Sequence, residues 1–260
     1  MSRFASIAGA ILVCIGTTAC AAAPAAPSGT AQAVRPTLTT PSTRPSTRPI
    51  PVATLRPSVA PSPSPAQCPP VAGAPSDATQ VLLATANIFG AGHEFAPMPG
   101  GGGRGSLPPV WTLPGTGDRI VTISCAVGMV NPVRDENAWN GPEGDGRGPT
   151  DVESFEGIAG IVDFNNGMFV VGVFLTDDVP TDPAPERLDF SSGEDFDLLE
   201  PSIAQTFFVG DGKSRRFRVP PGATRLFLGF ADGFRYVGKP GWYNNNVGQL
   251  EVTVEVAAGS

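Results

Sequence analysis

The chain has 260 residues, 41% of them hydrophobic and 16% charged, with a formal net charge of −7. Every Asp and Glu lies after residue 67, whereas Arg3, Arg35, Arg44, Arg48 and Arg56 precede it; residues 68–260 therefore hold 12 Lys+Arg against 24 Asp+Glu, a net −12. So acidic a surface argues against nucleic acid and anionic lipid as partners and is compatible with cation binding.

Residues 1–20 read as a secretory signal peptide. Arg3 supplies the positive start, and Phe4 to Gly16 is an apolar stretch too short to span a bilayer comfortably. Thr17-Thr18-Ala19-Cys20 partly resembles a bacterial lipobox, which makes Cys20 the expected lipidation site. Ordinary cleavage after the nearby alanines is the alternative. Residues 21–67 are dominated by Pro, Thr, Ser and Ala, as in "TLTTPSTRPSTRPIPVATLRPSVAPSPSPA". Such a composition cannot bury enough apolar surface to fold, so the segment is expected to be a disordered, semi-rigid tether. No later stretch is long and apolar enough to span a membrane. The expected setting is extracytoplasmic, secreted or at the cell surface, with membrane contact only through an N-terminal lipid.

Residues 68–260 form one domain-sized block. Cys68 opens it, and Cys125 is its only other cysteine. In an oxidising compartment a disulfide between them is the simplest reading. Strand-like runs follow at Val81–Phe89, Arg119–Val127, Ile158–Val162, Met168–Leu175, Arg215–Val219, Thr224–Ala231 and Gln249–Val256. The last alternates, with Leu250, Val252, Val254 and Val256 on one face and Glu251, Thr253 and Glu255 on the other. Pro221-Gly222 predicts a type II turn. Asp195–Ala204 has room for a short helix, and glycine and proline clusters such as "PMPGGGGRGSLPP" separate the strands. Many short strands with turn signals predict an all-β, antiparallel β-sandwich or jelly roll.

The catalytic inventory is thin, and no enzyme activity is expected. His93 is the only histidine and reads as a loop residue. "GDGKS" (residues 210–214) ends like a phosphate-binding loop, but Phe207 stands where that loop needs its first glycine, so it reads as a hairpin turn. Paired-acid glycoside hydrolysis has candidates in Asp145, Asp151, Asp177, Asp178 and Asp232, yet spacing brings no two of them together. More specific is the pairing of "TRLFLGFAD", a strand ending in Asp232, with "WYNNNVGQLEVTV", which begins another. The two strands are expected to be consecutive, adjacent and antiparallel, and one carboxylate, amide oxygens and main-chain carbonyls at their shared end would suit calcium. A hydrogen-bonded turn needing no ion is the plainer reading.

These residues resemble the PA-I type galactophilic lectins, calcium-dependent bacterial galactose-binding β-sandwiches. The resemblance rests on Asp232 at a strand end, then Tyr243-Asn244-Asn245-Asn246-Val247-Gly248, and more weakly on Gly141-Pro142-Glu143-Gly144-Asp145. It covers loosely residues 79–256. What it implies is a calcium ion held by Asp232, Asn245 and Asn246, with carbonyls from Trp242 and from the loop 131–134. It further implies a carbohydrate, galactose-like or another glycan, bound by Asp232 and Asn245, with Asp151 at a neighbouring sugar-contacting position; Trp139, a nearby loop aromatic, is an expected stacking residue. Phe234, Tyr236 and Trp242 are further candidates for stacking on a sugar. The family's sugar-contacting histidine aligns with Gly148 and a glutamine with Asp151, and the loop from Asp232 to Trp242 is longer here. An adhesive surface domain that binds no sugar is the alternative function.

Overall fold

The structure is a computed structural model that describes residues 67–71, 75–135, 137–146, 148–213 and 215–259. The signal peptide, Cys20 and all of the tether but Gln67 lie outside the described residues. The described chain is nearly all β, and none of its helices is long and apolar enough to cross a membrane.

Among the described residues, fourteen strands form three sheets. The first contains β1 (Thr79–Leu83), β3 (Arg119–Asn131), β8 (Leu198–Leu199), β10 (Arg216–Arg218) and β14 (Val247–Ala258), in the order β1-β14-β3-β10-β8. The second orders β2 (Val110–Thr112), β11 (Arg225–Phe230), β6 (Val170–Leu175) and β9 (Phe207–Phe208). The third, smaller sheet runs β12 (Gly233–Phe234), β13 (Val237–Pro240), β4 (Thr150–Val152), β5 (Ile161–Asp163) and β7 (Leu188–Asp189). Most pairs are antiparallel; β8–β10, β4–β13 and β5–β7 are parallel.

Alternation explains the first sheet. Leu250, Val252 and Val254 of β14 are buried together with Val121 and Ile123 of β3. They share one hydrophobic core with Val171, Val173, Phe207, Leu226 and Phe227 of the second sheet, which makes the two sheets the layers of a sandwich. The alternation slips at Thr253, where a bulge shifts the register between Thr253 and Val254. Val170–Leu175 is buried along its whole length, as expected of an unbroken apolar run covered on both faces.

Cys68 and Cys125 are joined, with Cα atoms 5.8 Å apart. Gly222 takes a left-handed φ of 86°, and the Ala223 N–H donates to the Pro220 carbonyl, as the predicted turn requires. Three expectations are corrected. Asp195–Ala204 contains the two-residue strand β8 and no helix, because Pro201 cannot donate within one and Leu198 and Leu199 pair beside β10. "GDGKS" is a turn but joins β9 and β10, which belong to different sheets, so it closes no hairpin. β11 and β14 likewise lie in different layers, so Asp232 and the asparagines meet across the rim of the sandwich and not along one ladder.

Candidate metal and ligand site

β11 carries the chain into Asp232 at the rim, where only 3% of the residue is exposed. Its Oδ1 accepts the Gly233 N–H at 2.8 Å, and its Oδ2 accepts Asn246 Nδ2 at 2.9 Å. Burial pushes this carboxyl up to about 7, against the opposing pull of those two donors. Tyr243, fully buried, fixes the segment from below: its hydroxyl donates to the Phe230 carbonyl (2.8 Å) and accepts the Asp232 N–H (3.0 Å). One phenol thus ties the start of the asparagine segment to the end of β11.

The three asparagines separate by role. Asn244 is a turn residue: its Oδ1 accepts the Gly105 N–H and its carbonyl accepts Arg134. Asn245 Nδ2 donates to the Pro132 carbonyl at 2.7 Å, and Asn246 Nδ2 donates to the Ala84 carbonyl as well as to Asp232. With both amide nitrogens committed, Asn245 Oδ1 and Asn246 Oδ1 are left buried without a donor. Each such oxygen costs about 1–3 kcal/mol relative to a satisfied one, and two on consecutive residues beside a buried carboxylate call for a partner. A cation is the partner that amide oxygens and a carboxylate accept in common, so the residues present fit calcium. No group of three or more His, Cys, Asp or Glu gathers among the described residues. An ion here would depend on one carboxylate together with neutral oxygens.

Above these groups opens a cavity of about 510 Å³, lined among others by Pro132, Asp145, Asp232, Tyr236, Trp242 and Asn245. The long loop after Asp232 builds one wall. It folds as the hairpin β12–β13, whose Phe234 and Val237 pair across the two-residue turn Arg235-Tyr236. Phe234 is 55% exposed and packs on Trp242, with ring centroids 4.9 Å apart. Tyr236 lies over Gly148 and Gly167, where a Cβ would come within 3.4 and 2.8 Å of its ring. The missing side chain at Gly167 is therefore what gives Tyr236 its place, whereas a Cβ at Gly148 would meet the ring at ordinary contact distance.

Of the residues expected at the site, Asp232, Trp242 and Asn245 line the cavity, and Asn246 lies behind them against Asp232. The structure does not bring Asp151 or Trp139 into the lining. Asp151 Oδ1 pairs with Arg187 at 2.6 Å, and its N–H donates to the Tyr236 carbonyl. Trp139 is 42% exposed and its ring covers Gly248. Asp145, from the same loop as Trp139, does face the cavity. His93 Nε2 contacts the Glu156 carbonyl and is not among the lining residues.

The support that sequence reasoning missed is the glycine-rich stretch. The Gly101, Gly102 and Gly103 carbonyls accept the N–H groups of Trp242, Asn244 and Tyr243 respectively. A Cβ on Gly103 would sit 2.0 Å from the Asn244 side chain. The run of four glycines, with φ positive at Gly101, Gly102 and Gly103, was the available signal for so close a backbone approach. Compared with known proteins, the sequence matches no family model and no curated protein, so the site stands on its own geometry.

Proposed function

We propose that the domain is a non-catalytic, calcium-dependent carbohydrate-binding module, exported and presented on a tether that a lipid on Cys20 anchors. The observation that carries this reading is the pair of donor-less amide oxygens on Asn245 and Asn246, beside the buried Asp232, at an aromatic-walled cavity. Asp232, Asn245 and Asn246 would hold the ion by side-chain oxygens, with main-chain help from Trp242 and the 131–134 loop. Bound there, calcium supplies coordination positions that two neighbouring sugar hydroxyls can take over from water. Phe234, Tyr236 and Trp242 offer flat apolar faces for the C–H side of a ring, while Asp232 and Asn245 orient its hydroxyls. Asp151 and Trp139, which lie outside the lining, act at most on an extended glycan.

A glycan array with calcium and with EDTA, on wild type and Asp232→Ala, tests this. Retention of a glycan by the wild type in calcium only, and loss in the variant, is the expected result. Retention by Asp232→Ala at wild-type strength in EDTA would sink the site. Absence of all retention favours the adhesive, protein-binding alternative. A hydrolytic reading has one observation behind it, the shared cavity of Asp145 and Asp232. Turnover of a retained glycoside, abolished by Asp145→Asn, would establish it.

A further inference from the structure

A second pair of carboxylates lies away from the cavity, and its surroundings ask for a cation. Asp163 ends β5 and is fully buried. Its Oδ1 accepts the N–H groups of Asn165 (2.9 Å) and Asn166 (3.3 Å), but its Oδ2 is buried with no donor. A separate segment, beyond β7, comes against this turn. Ser191 Oγ accepts the Phe164 N–H, and the Ser191 carbonyl accepts Asn165 Nδ2, each at 3.0 Å. Three residues later comes Glu194, whose Oε1 accepts Asn166 Nδ2 at 2.7 Å and whose carboxyl lies within hydrogen-bonding range of that of Asp163.

The arginine that bonds to this segment does not neutralise the pair. Arg215 Nε donates to the Glu194 main-chain carbonyl, while its terminal nitrogens bond to both carboxylate oxygens of Glu143 at 2.7 and 3.3 Å. Among the described residues no Lys or Arg forms an ion pair with Asp163 or Glu194. Apart from each other, the two carboxyl groups meet hydrogen-bond donors, the N–H groups of Asn165 and Asn166 at Asp163 and the Asn166 amide at Glu194. Asp163 Oδ2 is left buried and without a donor beside Glu194, where a cation could take both carboxylates as ligands.

We propose that Asp163 and Glu194 form a cation site for an ion of calcium's class, separate from Asp232. The ligands are hard anionic oxygens, one from a strand end and one from a loop, and Glu194 is half-exposed, which leaves room for water to complete the shell. The ion clamps the 163–167 turn to the segment around Ser191. That turn ends at Gly167, which supports the Tyr236 ring and exchanges main-chain hydrogen bonds with Asp145, so the clamp also backs one wall of the cavity.

Calorimetric titration of EDTA-stripped full-length protein with calcium chloride, paired with thermal melts, tests the site without any sugar. Asp232→Asn removes the first candidate ion, so one calcium is expected to remain in that variant. Adding Glu194→Gln to it is expected to weaken that remaining binding at least 10-fold and to abolish the calcium-dependent rise in melting temperature. Glu194→Gln alone, at a half-exposed position that keeps the Asn166 hydrogen bond, is expected to fold and to bind one ion fewer than wild type. The proposal is overturned if Asp232→Asn binds no calcium at 10-fold above the wild-type saturating concentration. It is equally overturned if Glu194→Gln stabilises the stripped protein and leaves calcium binding unchanged, the signature of a repelling pair with no ion. Equal stoichiometry in wild type and Asp232→Asn would instead count against the Asp232 site.

Discussion

At the scale of single residues, the site turns on which atoms of ordinary side chains have been used up. An asparagine in a turn is unremarkable until its nitrogen is spent on a carbonyl and its oxygen is left in the dry, as at Asn245 and Asn246. Residue types made part of this legible: an aspartate at a strand end and consecutive amides are oxygen ligands in any fold. Nothing in the types shows which atom of each amide would be free, because that depends on Pro132 and Ala84, which come from distant segments. The role of Tyr243 was hidden for the same reason, since a tyrosine between polar residues does not announce two buried main-chain partners. Asn246→Asp separates a ligand from a structural amide. It places a second carboxylate beside Asp232 Oδ2 and removes the amide's donors, so in EDTA we expect a loss of about 3 kcal/mol, the cost of an uncompensated buried charge. Calcium should offset most of that loss if these oxygens share an ion. Denaturant melts of the variant with and without calcium read the difference; equal destabilisation in both would assign Asn246 a purely structural role.

At the scale of elements, strands were legible wherever one face is buried, because alternation then survives in the sequence, as in β14. Sheet membership was not, since β11 and β14 end alike whether they pair or face each other across a core. The extra loop after Asp232 illustrates a different limit. Its turn, Arg235-Tyr236, holds both residues at positive φ, 57° and 62°, in a two-residue hairpin that ordinarily takes Asn and Gly. A non-glycine residue in this conformation costs roughly 1–2 kcal/mol, so local propensity would have argued against the turn. Such strain persists where the side chains serve the site, and both residues line the cavity. Arg235→Gly is therefore expected to raise stability by about 0.5–1 kcal/mol, the relief of strain less the entropy of a glycine. Glycan retention on an array should fall in the same protein. Loss of stability, or unchanged retention, would remove the functional explanation of the strained turn.

At the scale of the molecule, the candidate site and the disulfide occupy different positions along the same pair of strands. Cys68 is bonded to Cys125 in β3, opposite Thr253 of β14. The asparagine segment adjoins Val247, where β14 begins, six residues or about 20 Å along the strand from Thr253. Residue types predicted the disulfide because residues 68–260 hold only two cysteines, whereas its distance from the site follows from register alone. The bridge spans 57 residues, and closing a loop of that length restricts the unfolded chain by about 4 kcal/mol. Replacing both cysteines by serine should lower stability by that order in denaturant melts while leaving calcium affinity within about twofold, since no site residue contacts the bridge. A large loss of calcium affinity in a variant that still folds would mean that the sheet transmits strain from the disulfide to the rim. No such transmission is expected, because the bridge and the asparagine segment are separated by six residues of a strand that is hydrogen-bonded along both of its edges.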